Sequence, residues 1–130
     1  MDVTTVAAII YLFITAGVVA FQFALAFGVP WGSYAMGGKF PGRFPPAMRA
    51  SAVGQAALLG LMAAVVMSRA GLLLPDWAQV SVWLTWVIVA FSVVSVVLNT
   101  ITPSAKERRV WLPVALVMLA SSLTVALTAG

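Results

Sequence analysis

The chain has 130 residues, of which 63% are hydrophobic and 8% are charged, and its formal net charge is +4. A water-soluble domain carries about 25% charged residues, so this composition excludes a soluble fold and predicts an integral membrane protein. The chain contains no cysteine and no histidine, which excludes disulfides, thiolate nucleophiles and imidazole groups. We therefore expect no bound metal and no cofactor.

Four apolar runs succeed one another along the chain, at about residues 4–27, 47–70, 77–101 and 110–128. Each is close to the roughly 20 residues that cross a bilayer core. Lipid offers no partner to backbone polar groups, so a spanning segment of this length is a helix. The runs predict an all-α integral membrane protein with four transmembrane helices in an up-down-up-down bundle, and residues 1–130 form one domain.

The first run is expected to remain on the protein as a spanning helix. Met1 and Asp2 bring no basic side chain, and the apolar run after them is longer than the core of a cleaved signal peptide.

Residues 27–49 interrupt the apolar pattern with glycines, prolines, aromatic residues and the basic Lys39, Arg43 and Arg49. The charges make a deep dip into the membrane costly, at about 2.5–3.5 kcal/mol for each charge on insertion scales. We expect an ordered interfacial loop here, called loop 1, which joins helices 1 and 2 across the inner mouth of the bundle. It serves either as structural cover and lipid contact or as a recognition surface for a ligand or partner.

The second run carries a small residue at every fourth position. Small residues at this spacing let helix backbones approach closely, so they predict a helix-packing face toward another helix of this chain or of another protein. The residues of this predicted face are Ala52, Ala56, Gly60, Ala64 and Ser68.

The third run carries a polar stripe that stays on one face of a helix with 3.6 residues per turn. Two interpretations remain open: hydrogen bonds between helices, worth about 0.6 kcal/mol each in membranes, or a polar lining for a solute path. The stripe consists of Ser81, Thr85, Ser92, Ser95 and Asn99.

Local signals predict where the helices begin and end. Asp76 with Gln79, and Ser104 with Glu107, have the spacing of a capping box, and they predict the starts of helices 3 and 4. Gly71 predicts the end of helix 2. Ser104 lies before the fourth apolar run, so the fourth helix is expected to begin outside the membrane.

Three amide side chains fall in the same half of the predicted bundle: Gln22, Gln55 and Asn99. Unpaired amides are costly in hydrocarbon, so we expect them to point inward, either as packing contacts or as a polar pocket that opens under loop 1. The predicted ligand-binding residues of such a pocket are Gln22, Tyr34, Lys39, Arg43, Gln55, Ser92, Ser95 and Asn99.

Basic residues concentrate in loop 1 and around loop 3, which joins helices 3 and 4, and only Arg69 lies on the other face. Cytoplasmic loops carry the excess of lysine and arginine, so we expect loops 1 and 3 in the cytoplasm, both termini outside, and a bacterial plasma membrane. The charges indicate anionic lipid headgroups as partners, not nucleic acid. The residues concerned are Lys39, Arg43, Arg49, Lys106, Arg108 and Arg109.

The three carboxylates, Asp2, Asp76 and Glu107, all lie at helix ends, so the sequence predicts no catalytic machinery and the protein is not expected to be an enzyme. The favoured interpretation is an accessory or scaffold subunit that packs beside other membrane proteins or copies of itself. The alternative is a small carrier, channel or apolar-ligand-binding protein that uses the polar pocket under loop 1.

Overall fold

The computed structural model describes residues 1–130 as four long α-helices without any strand. The helices are α1 (Val3–Ala26), α2 (Pro46–Arg69), α3 (Ala78–Ile101) and α4 (Ala105–Thr128), of 24 residues each. All four are long and apolar enough to cross a membrane. The prediction of an all-helical chain with four such helices is confirmed.

The helices pack in a ring, in which α1 and α3 each contact both α2 and α4. The α2–α3 interface is the least extensive of the four. The larger hydrophobic cluster contains Tyr11, Val66, Ile88 and Val125, one from each helix. A smaller cluster around Leu25 joins the end of α1 to loop 1 and the start of α2.

Polar contacts tie the helix ends to one another. The hydroxyl groups of Thr4 in α1 and Thr128 in α4 lie 2.6 Å apart and share a hydrogen bond. Near the other end of α1, the Arg49 Nε–H of α2 donates to the carbonyl oxygen of Ala26 at 2.7 Å. This bond pairs one of the last carbonyls of α1, which have no partner inside their own helix.

The predicted end of α2 is confirmed. Gly71 has a φ of +77°, and its N–H donates to the Ser68 carbonyl while the Leu72 N–H donates to the Met67 carbonyl. This pair of bonds is the Schellman motif, which requires a left-handed residue that glycine supplies without steric cost.

The two predicted capping boxes differ in outcome. Ser104 caps α4, because its Oγ accepts the Glu107 N–H at 3.1 Å. The prediction for Asp76 is wrong: it lies inside a 3₁₀ turn at Pro75–Trp77, and no side chain caps α3. The turn begins at Pro75, so Asp76 is its second residue. Asp76 therefore occupies neither the N-cap position of the turn, which is Leu74, nor that of α3, which is Trp77.

The predicted packing face of α2 is divided by the structure. Gly60 is exposed, and a Cβ atom on it would have no other atom within 4 Å, so the prediction of a close helix contact at Gly60 within this chain is wrong. Residues spaced by four drift about 40° around a helix at each step, so this spacing does not keep all five residues on one face of α2. Ala52, Ala56 and Ser68 are buried, and Ala64 is half-buried.

Candidate functional site

A cavity of about 690 Å³ lies beneath loop 1, which in the structure comprises residues 27–45. All four helices contribute to its walls, together with loop 1. Its volume is within the range of small-molecule sites, which measure about 300–1,000 Å³. We call it the loop 1 cavity.

The structure brings the three predicted amides together in this cavity. Gln22 of α1, Gln55 of α2 and Asn99 of α3 all line it. The amide nitrogen of Asn99 donates to the Ser95 carbonyl oxygen at 2.8 Å, whereas the side chains of Gln22 and Gln55 make no hydrogen bond within the protein. The cavity therefore presents free amide donors and acceptors to whatever occupies it.

The polar stripe of α3 divides between the cavity and the core. Ser92 and Ser95 line the cavity, while Ser81 and Thr85 are buried outside it. The hydroxyl groups of Ser81, Thr85 and Ser92 all donate to backbone carbonyl oxygens of α3 itself. The bond from Ser92 Oγ to the Ile88 oxygen, for example, is 2.9 Å long. The interpretation of the stripe as hydrogen bonds between helices is wrong, because a carbonyl one turn back is always within reach of a helical hydroxyl.

Loop 1 covers the cavity with Tyr34, Ala35, Met36 and Gly37. The backbone of Tyr34 is held by α4, because the indole Nε1–H of Trp111 donates to the Tyr34 carbonyl oxygen at 2.7 Å. Two short 3₁₀ turns, Gly32–Tyr34 and Met36–Gly38, shape this part of the loop.

The first turn of α4 adds two further bonds to loop 1. Ser104 Oγ donates to the Ser33 carbonyl oxygen at 2.8 Å, and Glu107 Oε2 accepts the Gly37 N–H at 2.9 Å. The predicted capping box would return the Glu107 carboxylate to its own helix. In the structure the Glu107 carboxylate instead accepts the Gly37 N–H and so holds the part of loop 1 that covers the cavity.

Lys39 and Arg43 do not line the cavity, so the structure does not bring these two predicted ligand-binding residues together with the others. Lys39 is exposed, and the Arg43 guanidinium lies beside Gly28, where an added Cβ would be 2.8 Å from Arg43 Nη2. Left-handed glycines precede both residues, with φ of +77° at Gly38 and +80° at Gly42. These turns direct the two basic side chains away from the largely apolar cavity, where a charge is expensive.

The cavity also has an aromatic wall, which was not among the predicted site residues. The rings of Phe21 and Trp111 pack with their centroids 4.6 Å apart, and Phe44 and Phe91 also line the cavity. One signal was available: Glu107 and Trp111 are four residues apart and therefore share a face of α4. Both of them reach loop 1 from that face.

The cavity is open at its side. Met36 of loop 1 and Pro103 of loop 3 are exposed lining residues at the loop end of the cavity. Four further lining residues are exposed along its side, namely Ser51 on α2 and Val94, Leu98 and Ile101 on α3. They belong to the two helices with the least extensive interface. The opening therefore faces outward between α2 and α3.

The lining of the cavity is largely apolar. Glu107 is its only charged lining residue, and one of its carboxylate oxygens already accepts a backbone N–H. No family model, curated protein or solved structure matches the chain.

Proposed function

We propose that the protein spans a membrane as an up-down-up-down four-helix bundle and binds an apolar or amphipathic small molecule in the loop 1 cavity. The observation that carries this proposal is the convergence of Gln22, Gln55 and Asn99 on a cavity of about 690 Å³. Gln22 and Gln55 are half-buried in this cavity, and an amide can both donate and accept hydrogen bonds. A bound molecule with its own polar group would pair with them.

Binding fits the cavity better than conduction does. The larger hydrophobic cluster lies beyond the cavity along the bundle, and its residues Tyr11, Val66 and Val125 are fully buried. Such a cluster leaves no open passage to the opposite end of the helices, and the hydroxyl residues Thr15 of α1 and Thr85 of α3 are themselves buried. The carrier and channel alternatives are therefore less well supported than a closed-ended binding site.

The proposed orientation puts loops 1 and 3 in the cytoplasm of a bacterial plasma membrane and both termini outside. Its support is the charge distribution, together with the hydrogen bond from Ser104 Oγ to the Ser33 carbonyl oxygen, which joins the two basic loops. The excess of basic residues there follows the positive-inside rule. Anionic headgroups are the proposed lipid contacts of these residues.

The test of binding compares two neighbouring substitutions in α2. Gln55→Trp fills the cavity, whereas Gly54→Trp lies on the exposed face, where a Cβ atom has no other atom within 4 Å. Each protein is purified in mild detergent, and small molecules that remain bound are detected by native mass spectrometry. We expect wild type and Gly54→Trp to retain a bound molecule and Gln55→Trp to lose it. Equal retention by the two variants would refute the proposal.

A second candidate is an accessory or scaffold subunit that packs on another membrane protein or a copy of itself. The observation that favours it is an outward face of α2 built from small, exposed residues: Ala50, Ala57 and Gly60. Faces of this kind allow close helix association in membranes. We expect Gly60→Leu to reduce the particle mass measured in detergent if this face is an interface, and an unchanged mass would remove this candidate.

A further inference from the structure

A second cavity lies between α2 and α3, and all of its lining residues are hydrophobic. We call this space of about 390 Å³ the α2–α3 groove. It extends from Trp77, just before α3, to Phe91 of α3, a length of about 21 Å at a rise of 1.5 Å per residue. A long, apolar groove suits one extended hydrocarbon chain.

The groove adjoins the loop 1 cavity at Phe91, which lines both spaces. The side opening of the loop 1 cavity also lies between α2 and α3, so a molecule in that cavity would reach the groove by passing Phe91 and would cross no helix. The two spaces together have a polar end under loop 1 and an apolar end beside Trp77.

The polar end favours an uncharged head. No lysine or arginine lines the loop 1 cavity, and its one charged residue is Glu107. An anionic head would meet a carboxylate without any cation to compensate it, and burying such a charge is costly. A cationic head would have only Glu107, whose Oε2 is engaged by the Gly37 N–H. The amides of Gln22 and Gln55 can donate to a hydroxyl or carbonyl oxygen and accept from a hydroxyl.

We propose that the ligand of the loop 1 cavity is a single-chain amphiphile with an uncharged, hydrogen-bonding head. The head contacts Gln22, Gln55 and Asn99, and the chain passes Phe91 into the α2–α3 groove. The ligand enters sideways from the surrounding lipid through the opening between α2 and α3. This inference rests on the proposed binding function and adds the ligand class and its route.

The experiment compares three amphiphiles with the same unsaturated chain: monoolein, oleic acid and oleylamine, whose heads are neutral, anionic and cationic. Binding to the full chain, freed of lipid in detergent, is measured by native mass spectrometry. We expect one monoolein per chain, bound about tenfold more tightly than either charged amphiphile. Equal or tighter binding of oleic acid or oleylamine would overturn the assignment of an uncharged head.

The amide contacts are tested with Gln55→Leu and Gln22→Leu. Each variant removes a head contact without filling the cavity, so each should weaken monoolein binding about fivefold. Two positions are tested so that one poorly folded variant does not decide the result. Unchanged monoolein affinity in the folded variants would overturn the head contacts.

The chain route is tested with a matched pair on α3. Val87 lines the groove and is 53% exposed, while Val97 lines neither space and is 50% exposed. Val87→Trp should weaken monoolein binding several-fold, and Val97→Trp should not. Equal affinities in the two variants would overturn the route while leaving the cavity as a binding site. The proposed function itself fails only if Gln55→Trp and Gly54→Trp retain bound molecules equally.

Discussion

The indole Nε1–H of Trp111 donates a 2.7 Å hydrogen bond to the carbonyl oxygen of Tyr34. Both residues line the loop 1 cavity, one from α4 and the other from the loop that covers it. The Trp111 ring also packs against Phe21 of α1. One side chain thus joins a wall of the cavity to its cover, so the geometry of the site depends on a contact between distant parts of the chain.

Trp111→Phe should loosen loop 1 without removing the aromatic wall. The change leaves the Tyr34 carbonyl without its partner, and we expect a loss of about 1–2 kcal/mol in the free energy of unfolding. Hydrogen exchange of residues 31–38 should become faster. Trp86→Phe, on the exposed face of α3, is the control, and equal exchange in the two variants would contradict the role given to Trp111.

Gly32→Ala should disrupt loop 1 by a direct clash. A Cβ atom on Gly32 would lie 1.8 Å from the Phe40 carbonyl oxygen, so the loop backbone has to move. We expect a loss of about 2–3 kcal/mol in the free energy of unfolding. Gly17→Ala is the matched change, because its Cβ meets no other atom within 4 Å. It should be neutral or slightly stabilising in a helix, and a similar loss in both variants would rule out the clash.

Two leucine substitutions in α2 should differ in their effect on the fold. Ala56 is 3% exposed, so Ala56→Leu overpacks the interior and should cost about 1–3 kcal/mol. Gly60→Leu faces outward and should leave the melting temperature of the isolated chain almost unchanged. Thermal unfolding in detergent measures both, and a comparable loss from Gly60→Leu would mean that the outward orientation of Gly60 is incorrect.

The start of α1 should depend on pH through Asp2. The Thr5 N–H donates to Asp2 Oδ1 at 2.8 Å, and this backbone hydrogen bond lowers the pKa of the carboxyl group from its ordinary value of 3.8. A lowered pKa means that the cap stabilises the helix above the unfolded-state pKa and is lost as the pH falls through the folded-state pKa. We expect the Thr5 amide to exchange faster in that acidic window. Asp2→Asn should keep a cap without this pH dependence, and the same acid response in that variant would exclude the carboxyl group as its cause.

The proposed orientation is testable with single cysteines in a chain that has none. Lys39→Cys in loop 1 and Gly130→Cys at the other end are both at exposed positions. A membrane-impermeant thiol reagent applied to intact cells should label only the Gly130→Cys protein. Labelling of the Lys39→Cys protein from outside would reverse the assignment.

The sequence by itself determined the four helices and several of their ends. In lipid, a long apolar run forms a helix whatever its neighbours are, because its backbone groups find partners only within the segment. The stop at Gly71 and the cap at Ser104 are equally local, since each uses residues within one turn. The shared depth of Gln22 and Gln55 also followed from counting residues along their helices at a fixed rise.

Only the tertiary structure decided which residues surround the cavity. Gly60 faces outward although its spacing matched a packing face. Small residues occur on buried and on exposed faces of a helix, so their spacing alone does not predict which face packs. Glu107 and Trp111 bond to loop 1 at positions about 70 residues away in sequence, and no local pattern specifies such a partner. The positions of Lys39 and Arg43 depended on left-handed glycines whose φ angles are set by the folded loop. The conformation of each helix depends on residues near one another in the sequence. The site, in contrast, is formed by the relative rotation of the helices and by contacts between distant segments.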